Sequence, residues 1–178
     1  MGPSAPGPSS DRLFALEGQA RIDYSTAAIP QSLHVLGAHI IFSTKARHPW
    51  LSPDIRQRVW AYQSRILQNL ECYSITIGGV EDHIHILCNL TKKTAPTKVM
   101  ELLKKDSSKF VKTLRNDLAA FHWQDGYGLF SVSPSHAGAL RDYINHQEEH
   151  HKTESFKEEL LRILKKSQLP YDERYLWD

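Results

Sequence analysis

The run Gly78-Gly79-Val80-Glu81-Asp82-His83-Ile84-His85-Ile86-Leu87-Cys88 constrains the fold of this chain more than any other stretch. Side chains along a β-strand alternate between faces, so Ile84, Ile86 and Cys88 point into a core while His83 and His85 project together from the opposite face. Burial of the first set therefore fixes the direction of the second. Two imidazoles side by side on one face are suited to holding a metal ion.

A second constellation lies about sixty residues on, in Leu140-Arg141-Asp142-Tyr143-Ile144-Asn145-His146-Gln147-Glu148-Glu149-His150-His151. The pattern predicts one helix from about Pro134 to Leu164. At about 100° per residue, Gln147 lies about 40° round that helix from Tyr143, and His150 about 20° the other way. One helix face then offers a phenol, an amide oxygen and an imidazole to a metal held on the strand. A free phenol has a pKa of about 10 and is a poor nucleophile at neutral pH. His146, His150 and His151 are the candidate acceptors for its proton, and helix geometry favours His150. Taken singly, a tyrosine on an amphipathic helix is a packing residue and a glutamine or histidine a surface one. Their joint occurrence with the His-x-His strand is what points to a site.

Around these two features the chain reads as strand, helix, hairpin, helix, strand. An apolar, β-rich run from Leu33 to Ser43 predicts the first strand, and Ile55, Val59, Tyr62, Ile66 and Leu70 at helical spacing predict a helix over Asp54–Leu70. Strands over Tyr73–Val80 and His83–Leu90 form a hairpin about Glu81-Asp82, although Glu-Asp is not a favoured turn pair. A short strand over Phe130–Val132 precedes the tyrosine helix. This order gives an α+β split β-α-β sandwich, an antiparallel sheet with two helices on one face, plus the C-terminal tyrosine-bearing helix. The other face is left for chemistry. Residues 1–30 open on a proline, glycine and serine tract without core-forming content and read as a disordered tail or extension; the folded domain is expected over 31–178.

Between the hairpin and the short strand, charge becomes informative. From Lys92 to Arg115 there are eight basic residues (Lys92, Lys93, Lys98, Lys104, Lys105, Lys109, Lys112 and Arg115) against two acids, a local balance of +6, whereas the 178-residue chain carries only +2. Val99, Leu102, Leu103, Phe110, Val111 and Leu114 give the same segment an apolar stripe, so it predicts an amphipathic helix with a basic outer face. Such a face is either simply solvated or a dock for a polyanion. Lys45 and Arg47, with His48, Trp50 and the Trp123–Tyr127 loop, are further candidates for contacting unpaired bases. The two cysteines, Cys72 and Cys88, have neither disulfide-framework nor zinc-ribbon spacing and read as buried thiols. No apolar run reaches the roughly 18 residues of a membrane span, and no secretory leader is visible, so a soluble, cytoplasmic protein is expected.

Together these residues carry a specific resemblance. His83-Ile84-His85 resembles the histidine-hydrophobe-histidine (HUH) signature, and Tyr143-Ile144-Asn145-His146-Gln147 with His150-His151 resembles the tyrosine helix of the single-tyrosine HUH transposases of small bacterial insertion sequences, a family that includes the REP-associated tyrosine transposases. The likeness extends from Leu33–Lys45 through Trp123–Ser133 to Tyr171–Asp178, five blocks in the right order. It implies a ferredoxin-like or RRM-like fold and a divalent metal, Mg2+ or Mn2+, held by His83, His85 and Gln147. It also implies Tyr143 as the nucleophile of a 5′-phosphotyrosine, and strand transfer on single-stranded DNA with hairpin ends. The family implies, finally, a homodimer in which the tyrosine helix of one subunit completes the histidine pair of the other. No membrane and no nucleotide cofactor enter this reading.

Two rivals come from other directions. A zinc hydrolase built on His83, His85 and His150 or His151 explains the imidazoles but leaves the tyrosine helix and the basic helix without purpose, and it lacks the usual catalytic carboxylate beside the His-x-His. A non-catalytic hairpin-binding module on an RRM-like fold would instead present aromatic residues on its central strands, where this chain has His83 and His85; a domesticated relative that processes host hairpins would carry the same residues as a mobile-element enzyme.

Overall fold

The computed structural model describes residues 33–173 and 176; the expected tail over residues 1–30 lies outside them. Four strands, β1 (Gly37–Ser43), β2 (Tyr73–Gly79), β3 (His83–Asn89) and β4 (Gly128–Ser131), form one sheet in the order β2-β3-β1-β4. Every neighbouring pair is antiparallel. Helix α1 (Pro53–Asn69) connects β1 to β2 and α2 (Pro96–Lys112) connects β3 to β4. Because β3 inserts between β1 and β2, this is the split β-α-β, α+β arrangement that the element order predicts.

Alternation places the core. Ala38, Ile40 and Phe42 of β1 and Ile84, Ile86 and Cys88 of β3 are buried against Ile55, Val59 and Ile66 of α1 and Val99, Leu103 and Val111 of α2. Proline opens both helices at the first turn, where its missing N–H has no intrahelical partner to lose. Cys72 and Cys88 are buried free thiols. The unfavoured Glu81-Asp82 turn is held by its neighbours: Leu51 N–H donates to the Glu81 carbonyl (2.9 Å) and Thr44 N–H to the Asp82 carbonyl (2.8 Å). The hairpin is therefore fixed by tertiary contacts rather than by turn propensity.

Two expectations are corrected. The face opposite α1 and α2 is not open, because α3 (Pro134–Asn145) lies across β2 and β3 on that side. Gly78 allows the close approach: a Cβ built there would stand 2.4 Å from the Ile144 carbonyl oxygen. Nor is the segment after Pro134 one long helix. It breaks at His146 (φ −107°, ψ 23°) into α3 and the short α4 (Gln147–His150), then turns through residues 151–155 and returns as α5 (Phe156–Lys166). Ser155 opens α5 with a reciprocal capping box, its hydroxyl accepting from Glu158 N–H while the Glu158 carboxylate accepts from Ser155 N–H. No helix among the described residues is long and apolar enough to cross a membrane.

Candidate active site

Register brings three histidines onto the covered face of the sheet. His83 and His85 stand two apart on β3, and β1 pairs Ile41 with His85 and His39 with Leu87, so His39 projects on the same side. All three are buried, His83 and His85 completely. Each of the β3 pair has one ring nitrogen occupied from behind. His83 Nδ1 lies 2.7 Å from Asp82 Oδ1 and His85 Nδ1 lies 3.0 Å from His39 Nε2. If Asp82 and His39 accept these protons, both Nε2 lone pairs are turned toward the same space.

What occupies the far side of that space is a carboxylate no local pattern revealed. Glu159, on α5, is buried, with Oε1 3.3 Å from His85 Nε2 and Oε2 3.6 Å from His83 Nε2. His151 Nε2 lies 3.1 Å from Glu159 Oε2, and Gln147 Nε2 donates to Glu159 Oε1 at 3.1 Å. The Tyr143 hydroxyl donates to the same Oε1. Gln147 is also buried, its Oε1 3.4 Å from His83 Nε2 and 3.0 Å from His151 Nε2.

Charge follows from this packing. Burial alone would raise the Glu159 carboxyl, but His151, His85 and Tyr143 outweigh it and hold the group ionised, well below the usual carboxylate range. Tyr143 moves the opposite way, to about 12, through burial and its bond to the Glu159 carboxylate, with Arg162 opposing. Desolvation lowers His85, and lowers His39 to about 3, so both imidazoles are neutral. Burial also pushes His151 down, yet Glu159 beside it wins and raises it.

The donor set fits a divalent cation. His83, His85 and Glu159 each offer a ligand atom, all within 4.8 Å of one another. Among the described residues His85 Nε2 is buried without a well-aligned hydrogen-bond partner, with Glu159 Oε1 3.3 Å away, an arrangement open to a ligand between them. Two imidazoles and one carboxylate suit Zn2+, Mn2+ or Fe2+, and Gln147 adds a neutral oxygen beside them.

The structure sorts the remaining sequence candidates. Tyr143 comes together with His83, His85 and Gln147 within one chain, its ring centroid 6.2 Å from that of His85. His150 packs on the Tyr143 ring at 4.6 Å, while the Tyr143 hydroxyl donates its hydrogen bond to Glu159. His151 joins the cluster because the helix breaks. His146 is exposed and turned back to the Asp142 carbonyl, outside the site.

The basic helix α2 packs on the opposite side of the sheet from the histidines, so its lysines do not border this site. Lys104 is also spent structurally: its ammonium donates to the carbonyls of Gln124, Asp125 and Gly126 and ties down that loop. Lys93 is paired with Glu71, Lys98 with Glu101 and Arg115 with Asp117. Lys92, Lys105 and Lys109 are exposed, while Lys112 is half-buried with its Nζ 3.5 Å from His122 Nε2. Lys45 and Arg47 are exposed at the end of β1, and Arg47 is near enough to help hold the Asp82 carboxyl down. Trp123 is a core residue, edge-on to Phe42 and Phe121, whereas Tyr127 is exposed.

Comparison with known proteins gives a family and a fold. The family model described as "Transposase IS200 like" matches residues 32–147. No curated protein matches the chain. Among solved structures, a candidate transposase of Deinococcus radiodurans is similar with a TM-score of 0.54 at 18% identity, over 67% of this chain and 96% of that one. A REP-associated tyrosine transposase solved bound to a REP hairpin is similar with a TM-score of 0.52 at 12% identity, over 70% of this chain and 74% of that one. At these identities the likeness is one of fold.

Proposed function

Because the chain belongs to the IS200-like transposase family, we propose that it cleaves and rejoins single-stranded DNA beside hairpins, with Tyr143 as the nucleophile. The observation that carries this reading is the Tyr143 hydroxyl on Glu159, the carboxylate that His83 and His85 both face. A nucleophile, a proton acceptor and a ligand set thereby converge on one point.

In the reaction, the Tyr143 proton passes to the ionised Glu159 carboxylate as Tyr143 Oη forms a bond to the phosphorus. The P–O3′ bond breaks, its electron pair leaves on the 3′ oxygen, and that oxygen takes up a proton to become a free 3′-hydroxyl. The downstream strand is left as a 5′-phosphotyrosine. Because one ester replaces another, a 3′-hydroxyl can run the same exchange backwards and join strands without a nucleotide cofactor. A divalent cation, Mg2+ or Mn2+, held by His83 and His85 with Gln147 or Glu159, would when bound polarise the phosphate and offset its charge. Asp82 and His39 keep the two imidazoles in the orientation such binding needs.

Lys45 and Arg47, close to the Asp82–His83 end of the sheet, are the better-placed contacts for the phosphate backbone of bound DNA. The exposed lysines of α2 would meet a duplex only on the far side. The hairpin preference is supported by the REP hairpin in the similar structure, and each site acts within one chain whether or not the protein dimerises.

The test is a covalent adduct. The protein is incubated with Mg2+ or Mn2+ and end-labelled hairpin DNA whose single-stranded flanks are randomised, then run on a denaturing gel. An adduct on the downstream fragment, absent from Tyr143→Phe and from His83→Ala, is expected. Hairpin binding with no adduct in either metal would replace this reading with a non-catalytic hairpin-binding module.

A further inference from the structure

Tyr143 has a second polar partner that neither the motif nor the family match contains. Arg162 lies on α5, beyond the matched residues 32–147, and its Nη2 donates to Tyr143 Oη at 3.0 Å. Glu154, in the turn before α5, holds the guanidinium in place by accepting from Nε at 2.8 Å and from Nη2 at 2.7 Å. Among the described residues these bonds engage Nε and Nη2 and leave the Nη1 side of the fork for a further oxygen. Arg162 stands three residues after Glu159, so one helix face delivers both to the tyrosine. Their surroundings differ. Glu159 is buried on the histidine side, whereas the Arg162 side chain is 51% exposed on the solvent side.

The Tyr143 oxygen thus sits between a buried carboxylate that can take its proton and an exposed cation that cannot receive one. His83 and His85 are fully buried, whereas the guanidinium stands exposed beside Tyr143, on the side open to a phosphodiester from solvent. As the phenol ionises and attacks, negative charge grows on Tyr143 Oη and on the phosphate oxygens around it, within reach of a planar donor suited to such oxygens.

We propose that Arg162 is a catalytic residue of the transposase, donating to Tyr143 Oη and to the scissile phosphate and so stabilising the charge developed when the tyrosine attacks. It transfers no proton. This inference rests on the reading of Tyr143 as nucleophile and adds to it an element of the site carried outside the family motif. The C-terminal helix is then part of the chemistry rather than a cover over it.

The experiment measures single-turnover adduct formation, with Mn2+ and the flank-randomised hairpin DNA, for the full chain and for Arg162→Ala, Arg162→Lys and Tyr143→Phe. Thermal stability and hairpin affinity are measured alongside. Loss of a preorganised donor to developing charge costs about a hundredfold in rate, so Arg162→Ala is expected to fall by that factor with stability and hairpin affinity nearly unchanged. Free guanidinium at millimolar concentration should restore part of the rate, and Arg162→Lys, which keeps charge but loses the fork, should fall between. Arg162→Ala reacting within about threefold of the full chain overturns the proposal. So does a loss that guanidinium leaves untouched and that tracks lowered stability, which would make Arg162 a brace for the 151–155 turn. Absence of any adduct from the unsubstituted chain would instead remove the tyrosine reading itself, and the role of Arg162 with it.

Discussion

At the scale of single residues, the site depends on pairs in which one side chain sets the state of another. Glu159 is the clearest case, being at once a potential ligand and the acceptor for Tyr143. Glu159→Gln keeps the shape but removes the charge. Isothermal titration with Mn2+ should then show affinity falling by more than the roughly 10–100-fold typical of losing an outer-shell partner; unchanged affinity would leave His83, His85 and Gln147 as the ligand set. His39 gives a prediction in pH. Its folded pKa of about 3 lies below its unfolded value of about 6.5. The stability it contributes is therefore fully present above about pH 6.5 and is lost as pH falls toward 3. At pH 5 that loss is about 2 kcal/mol. His85 shares the direction and His151 opposes it, so the comparison isolates His39: in chelator, His39→Gln should lose less melting temperature than the unsubstituted chain between pH 7 and pH 5. Equal slopes would mean that the buried His39 is protonated with little penalty. His83, His85, Tyr143 and Gln147 were legible in the sequence because a strand period and a helix period aligned them. Glu159 and Arg162 were not, since their place depends on the chain reversal that begins at His151.

At the scale of elements, the break between α3 and α5 decides what the site contains. A continuous helix from Pro134 to Leu164 would have carried Glu159 about 24 Å along the axis from Tyr143, at 1.5 Å per residue. The reversal through residues 151–155 brings it into contact. The amphipathic pattern continues across the gap, which is why periodicity alone joins the two helices; the Ser155-x-x-Glu158 capping box is the signal that separates them. Ser155→Ala should cost about 1 kcal/mol, and because α5 carries Glu159 and Arg162, adduct formation should fall further than that loss of stability explains. If rate and stability fall in proportion, the cap serves folding alone. On the other side of the tyrosine, Gly78→Val should force α3 off β2 at Ile144, since even a Cβ meets the Ile144 carbonyl at 2.4 Å. A loss of about 1–3 kcal/mol is expected from overpacking of this kind, measured by chemical denaturation.

At the scale of the whole molecule, the question is how many chains make one active site. The element order predicts the four-stranded antiparallel sheet and its two core helices, because those follow from local periodicity; where the tyrosine helix docks does not, because β2 and β3 present the same face to a helix of their own chain or of a partner. Within one chain, Gly78, whose missing side chain seats Ile144, and the short return to α5 place Glu159 and Arg162 against Tyr143. A composite arrangement would exchange these contacts for the same ones made by a partner's helices, so burial of His83 and His85 alone does not separate the two. Mixing two inactive variants tests this directly. Tyr143→Phe retains the histidine pair and His83→Ala retains the tyrosine, so subunits that exchanged tyrosine helices would rebuild one intact site in some of the mixed dimers. A site assembled within one chain is rebuilt in none. We expect the mixture, denatured together and refolded to allow exchange, to form no adduct above the sum of the separate variants, and the unsubstituted chain to keep a constant specific rate on dilution. Adduct appearing only in the mixture would show that α3 leaves its own sheet in the active assembly, and that the contacts at Gly78 and Glu159 belong to a resting state.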